Sequence, residues 1–95
     1  MNFEWDENKR KSNLEKHGLD FLRASRVFKD SNRIEQIDNR KEYGEIRIQV
    51  IGKIRLFLRP VLVAFVVYTG RGGKKRIISA RPASKEEKVV YYGNR

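Results

Sequence analysis

The stretch VLVAFVVYT, residues 61–69, is apolar on alternate residues of both parities. A strand of that kind has no polar face to give to water. It must lie inside a sheet with something packed on each side. It is far too short to cross a membrane as a helix. The chain therefore needs flanking strands and at least two covering layers.

Flanking strands are legible on both sides. Ahead of it, EIRIQVI alternates, with Ile46, Ile48 and Val50 on one face and Glu45, Arg47 and Gln49 on the other. That predicts a half-buried strand. Ile34 to Ile37 reads as a weak strand inside turn-rich sequence. Either Gly52-Lys53 or Arg59-Pro60 is the turn into the apolar strand. After it, GRGGKK predicts a hairpin into a last strand, Arg76–Ala80. A phosphate-binding loop would need a helix directly after the glycines, and a strand follows.

Helices occupy the two ends. Asp6 is positioned to cap a polar helix from about Glu7 to Lys16, held to the body by Trp5 and Leu14 and closed by His17-Gly18. Asp20 caps a second helix to about Lys29, with Leu19 and Ala24 as a hydrophobic staple. Phe21, Ala24, Val27 and Phe28 recur at helical spacing and belong in the core. Ser84-x-x-Glu87 is a capping box that opens a short last helix through Tyr91. Strands that follow one another without crossover helices imply an antiparallel meander. The expected fold is α+β: two N-terminal helices and a short C-terminal helix on a small twisted antiparallel sheet. Residues 1–95 are expected to form a single domain.

The net charge is +10, and its distribution says more than its size. Residues 1–45 balance ten acids against ten bases. Residues 46–85 hold ten bases (Arg47, Lys53, Arg55, Arg59, Arg71, Lys74, Lys75, Arg76, Arg81 and Lys85) and no acid. Such a block predicts a positive surface that meets an anion, most often a phosphate backbone or an acidic protein. The bland alternative is a solvated face. With no cysteine there is no disulfide framework, which suits the cytoplasm. The first residues carry acids and lack the apolar stretch of a secretory signal.

Few side chains are left for chemistry. His17 is the sole histidine, and no carboxylates stand at metal-ligand spacing, so neither a metal centre nor a cofactor is expected. No serine-triad, Walker or dinucleotide motif is present. Arginine, lysine, one histidine and a few acids suit metal-independent RNA cleavage. There the 2′-hydroxyl is the nucleophile, arginine forks hold the phosphate, and one group moves protons.

Strict alternation points Arg76 and Arg81 to opposite faces, unless Pro82 lets Arg81 sit at the strand end. Arg76 would then join Arg47 and Glu45, with Arg81 at the rim near the last helix. The alternative is structural: Arg81 bridged to Glu86 or Glu87, and Arg76 to Glu45. His17 reads equally as a helix-end cation or as a proton-transfer group. Trp5 reads as a core anchor, Tyr91 and Tyr92 as packing and rim. Tyr68 is open between packing and RNA contact.

In the order and spacing of FEWDENK, NLEKHG, EIRIQVIG, VVYTGRG and RIISARPASKEE, the chain resembles the BrnT family of type II toxins. The resemblance implies a RelE-like fold, a ribonuclease that stops translation, and a BrnA-like antitoxin. It implies that operator DNA is met only through that antitoxin, in a complex that represses its own operon. It places the catalytic candidates at His17, Arg47, Arg76 and Arg81, with Glu45 as a weaker one. Lys16, Arg71, Lys74, Lys75, Lys85 and Tyr68 complete the expected RNA-contacting set. The competing reading is a basic domain that binds nucleic acid or an acidic partner without chemistry. Two departures from the family pattern are visible: GKIRLFLRPVLVAFVV is longer and more apolar than expected, and TGRGG has glycine where an acid is usual.

Overall fold

A computed structural model describes residues 2–55 and 61–93. The elements run β1 (Phe3–Glu4), α1 (Glu7–His17), α2 (Phe21–Ala24) continued by a 3-10 turn (Ser25–Lys29), β2 (Ile34–Ile37), β3 (Ile48–Ile54), β4 (Leu62–Arg71), β5 (Lys74–Pro82) and α3 (Lys85–Gly93). The five strands form one sheet in the order β1-β5-β4-β3-β2. The fold is α+β as the element pattern implied. No helix among the described residues is long and apolar enough to cross a membrane.

β4 is the central strand, buried from Val63 to Thr69. Its even residues meet one core: Ala64, Val66 and Tyr68 pack with Phe21, Ala24, Val27 and Phe28 of α2 and its 3-10 continuation. Its odd residues meet another: Val63, Phe65 and Val67 pack with Tyr91 of α3. Two covering layers are what a strand with no polar face requires. Leu19 and Ala24 are both buried in the first core, as the staple predicted.

The local signals fixed most element ends. The Asp6 carboxylate accepts from the Asn8 and Lys9 amides, and Gly18 closes α1 at φ 73°. Asp20 accepts from the Leu22 amide. Gly72 and Gly73, at φ 59° and 79°, form the two-residue turn between β4 and β5. The Ser84 hydroxyl accepts from the Glu87 amide, and Glu87 accepts from the Ser84 amide, completing the box.

Four expectations need correction. The sheet is mixed, because β1 runs parallel to β5, pairing Phe3 with Lys75 and Glu4 with Arg76. The long stretch of chain between the two strands frees them from hairpin geometry. β3 begins at Ile48, so Ile46 lies outside the pleat and is exposed. Gly52-Lys53 is not a turn but the interior of β3. A Cβ on Gly52 would stand 3.3 Å from the Cβ atoms of Val27 and Arg33, so glycine allows the 3-10 turn to press onto the strand. The alternative turn, Arg59-Pro60, lies outside the described residues. Finally, Leu14 is about two-fifths exposed (39%) rather than a buried anchor, and the buried residue of α1 is Asn13. The buried Asn13 amide donates to the carbonyls of Leu19 and Ala80 and accepts from the Ala80 N–H. Trp5 packs edge-on against Phe21, as the anchor reading predicted.

Candidate functional site

The register of β5 decides where its cations point. Thr69 pairs with Arg76, Tyr68 with Ile77, Val67 with Ser79 and Phe65 with Arg81, so Ile78 has no partner and forms a β-bulge. An extra residue resets the alternation. Directly paired residues share a face, so Arg76 goes with Thr69 and Arg81 with Phe65, both on the face that α3 partly covers. Arg76 and Arg81 therefore share one face. Strict alternation had separated them, and it is the bulge rather than Pro82 that unites them.

Both of these arginines are held by carboxylates. Arg81 makes a two-pronged bond to Glu87, 2.8 Å at both nitrogens, and its guanidinium lies 4.2 Å from the centre of the Phe65 ring. Burial pushes the Glu87 carboxyl up, but the Arg81 bonds and the Ser84 amide outweigh it and leave the group below its ordinary value. Arg76 bonds Glu4 at 2.9 Å, across the parallel pairing that sequence did not show. Its expected partner, Glu45, bonds Arg47 at 3.0 Å instead.

Arg47 stacks on Tyr43 at 4.1 Å, and Tyr43 donates to Asp38, which also accepts from Gln49 of β3. This chain of contacts ties Arg47 to the same face. Asp38 also receives two bonds at 2.8 Å from Arg40, whose guanidinium is 5.7 Å from Phe65. The Arg40 bonds, joined by those from Tyr43 and Gln49, hold the Asp38 carboxyl well below the usual carboxylate range despite its burial. Asp38 raises Arg40 in return. Arg40, Asp38, Tyr43, Phe65 and Glu4 were all missed as site residues, whereas the bridge from Arg81 to Glu87 is one of the two structural pairings that the sequence offered. The Asp38 side chain bonding the Arg40 amide was the one local cue.

The other candidates lie elsewhere. His17 and Lys16 are exposed at the end of α1. They line a cleft of about 410 Å³ with Ile78 and Ser79, so they reach the bulge from the outer side of β5. Lys75 turns to the opposite face, with its ammonium 4.7 Å from the Tyr68 ring and 5.2 Å from Phe28. Tyr68 is buried there and donates to Glu35 at 2.7 Å. Burial first, and Glu35 second, push its hydroxyl up to about 12. Arg71 and Lys74 pair at the hairpin and are exposed, and Lys85 is exposed at the start of α3. Glu45, Tyr68, Arg71 and Lys75 do meet around one open cleft of about 720 Å³. Among the described residues no three His, Asp or Glu side chains are grouped to hold a metal.

Fold and face together define a class: a small basic α+β domain that gathers arginines, each leashed to a carboxylate, on one side of its sheet. Residues 5–87 match the family of ribonuclease toxins, BrnT, of type II toxin–antitoxin systems. The chain belongs to that family. No curated protein matches it. Membership makes it a ribonuclease toxin whose partners are RNA and an antitoxin.

Proposed function

We propose that the protein is a metal-independent endoribonuclease that cuts RNA on the α3 face of its sheet and so inhibits translation. The observation that supports this is the convergence of Arg76 and Arg81 across the Ile78 bulge, with Arg40 and Arg47 on the same face. A phosphodiester carries the charge and the oxygen spacing to replace the carboxylates that now hold these forks. The RNA 2′-hydroxyl attacks phosphorus, its proton passes to a base, and the bond to the 5′-oxygen breaks as that oxygen takes a proton. The product is a 2′,3′-cyclic phosphate. Arg76 and Arg81 neutralise the charge that builds on the phosphoryl oxygens. His17, on the outer side of the bulge, and Glu45, beside Arg47, are the groups available for proton transfer. Lys16, Arg71, Lys74 and Lys85 attract the flanking backbone.

A BrnA-like antitoxin would neutralise the toxin by covering the arginine face with an acidic segment, which would exclude RNA by occupying the same cations. Repression of the operon would come through the antitoxin's own contact with DNA. A second reading, a basic binding domain without chemistry, draws support from one fact: Arg40, Arg47, Arg76 and Arg81 each already have an acidic partner. Incubating the protein with a defined RNA in EDTA separates the two. Cleavage is expected, reduced about a hundredfold or more in a folded Arg81→Ala. Dependence on added divalent metal, or full activity in Arg81→Ala, would refute the mechanism. Salt-sensitive binding without turnover would favour the second reading.

A further inference from the structure

Beside the arginine face, α3 and the sheet enclose a slot of about 300 Å³. Its inner wall is apolar: Ile34, Ile51, Phe65 and Val90. Among the described residues its polar lining is Gln36, Gln49, Glu86 and Glu87, with Arg81 just outside, on Glu87. In a chain of net charge +10 this is an unusual lining. It suits a flat, apolar group whose edge is rich in N–H donors.

The rim groups differ in what they have to spare. Glu87 is engaged by Arg81 in the free chain and is also held by the Ser84 amide, a capping-box bond that does not depend on the Arg81 fork. Gln49 accepts from Gln36 and donates to Asp38. Glu86 is exposed and makes no hydrogen bond or ion pair among the described residues, so both of its oxygens are available. The slot is continuous with the arginine face, because Phe65 lines it and carries Arg81 on its ring, and because Glu87 lines it and grips the same arginine.

We infer that the slot receives a guanine base of the substrate RNA, next to the phosphate that Arg81 holds, with Glu86 accepting from the base edge. This rests on the ribonuclease reading for its substrate. Guanine is the base whose Watson–Crick edge offers two adjacent donors, N1–H and N2–H, to a single carboxylate. Adenine, cytosine and uracil each offer one donor beside acceptors, which a carboxylate repels. The apolar wall takes the ring and the carboxylate reads the edge, as in single-stranded recognition generally.

The test uses trinucleotides with 2′-O-methyl sugars, which lack the internal nucleophile and stay intact. They carry guanine or adenine in the middle and are titrated against the full chain and against Glu86→Gln. The wild type is expected to bind the guanine trinucleotide about ten- to a hundredfold more tightly, the discrimination of one two-pronged pair. In Glu86→Gln, whose change leaves the Arg81–Glu87 fork and the capping box in place, that ratio falls toward one. Equal binding of both trinucleotides by the wild type, no measurable binding, or a preference that survives Glu86→Gln overturns the inference. A guanine preference indifferent to Glu86, joined to weakened antitoxin binding in the variant, would assign the slot to the protein partner instead. Failure of the ribonuclease reading is seen separately, in the EDTA cleavage assay.

Discussion

Arg76 and Arg81 stand an odd number of residues apart on β5 yet emerge on one face, because Ile78 is an unpaired residue between them. A perfectly regular strand would have put one guanidinium against α3 and the other against Phe28. The gathering of charge thus depends on a backbone irregularity.

Deleting Ile78 should therefore separate the two arginines without removing either. Cleavage of RNA is expected to fall about a hundredfold or more, as when a transition-state donor is lost. Ile78→Val keeps the residue count and is expected to cut like the wild type. Equal activity in a folded deletion variant would break the link between the bulge and catalysis.

Asn13→Ala should destabilise the fold by about 2–4 kcal/mol, since it leaves the Ala80 N–H and two carbonyls without partners. Asn13→Leu, although more apolar, should do no better. Urea unfolding measures this as a lower midpoint with an unchanged slope.

Asp38 should give the fold an acid limb. Its carboxyl is depressed in the folded chain, so as pH falls the unfolded chain takes up that proton first, from about pH 4. The contribution is complete above the unfolded value and disappears as pH drops toward the folded one. Asp38→Asn should cost about 2 kcal/mol at pH 7, and its deficit should shrink steadily below pH 4. A deficit constant with pH would mean that the charge is not what matters.

Tyr68 should limit stability in alkali. Its hydroxyl is raised to about 12, so between the ordinary tyrosine value near 10 and 12 the unfolded chain loses the proton first. Stability from this group is intact below pH 10 and declines above it. Tyr68→Phe should flatten that decline, followed as the denaturant midpoint against pH.

Much of the fold was legible because its signals are local. Caps at Asp6, Asp20 and Ser84, the glycine pair at 72–73 and the two-sided apolarity of β4 each act within a few residues. The bulge was not, since IIS reads the same whether or not one of its residues is paired. Nor was the Arg76–Glu4 pair, which needs a parallel contact between the two ends of the chain. The Asp38–Arg40 cluster was hidden in turn-rich sequence, because its remaining bonds come from Tyr43 and from Gln49 on another strand. Arg47, Arg76 and Arg81 were picked on charge and on resemblance, and the described geometry gathers them. It leaves Lys75 and Tyr68 on the reverse face.

The Asn13 amide also decides how this protein can be approached. By taking both the N–H and the C=O of Ala80, it blocks β5 there against the addition of a foreign strand. The opposite border of the sheet is β2, four residues long and exposed at Glu35, Gln36 and Ile37. A partner that extends this sheet by main-chain pairing has that short border to work with, beside the slot and away from α1.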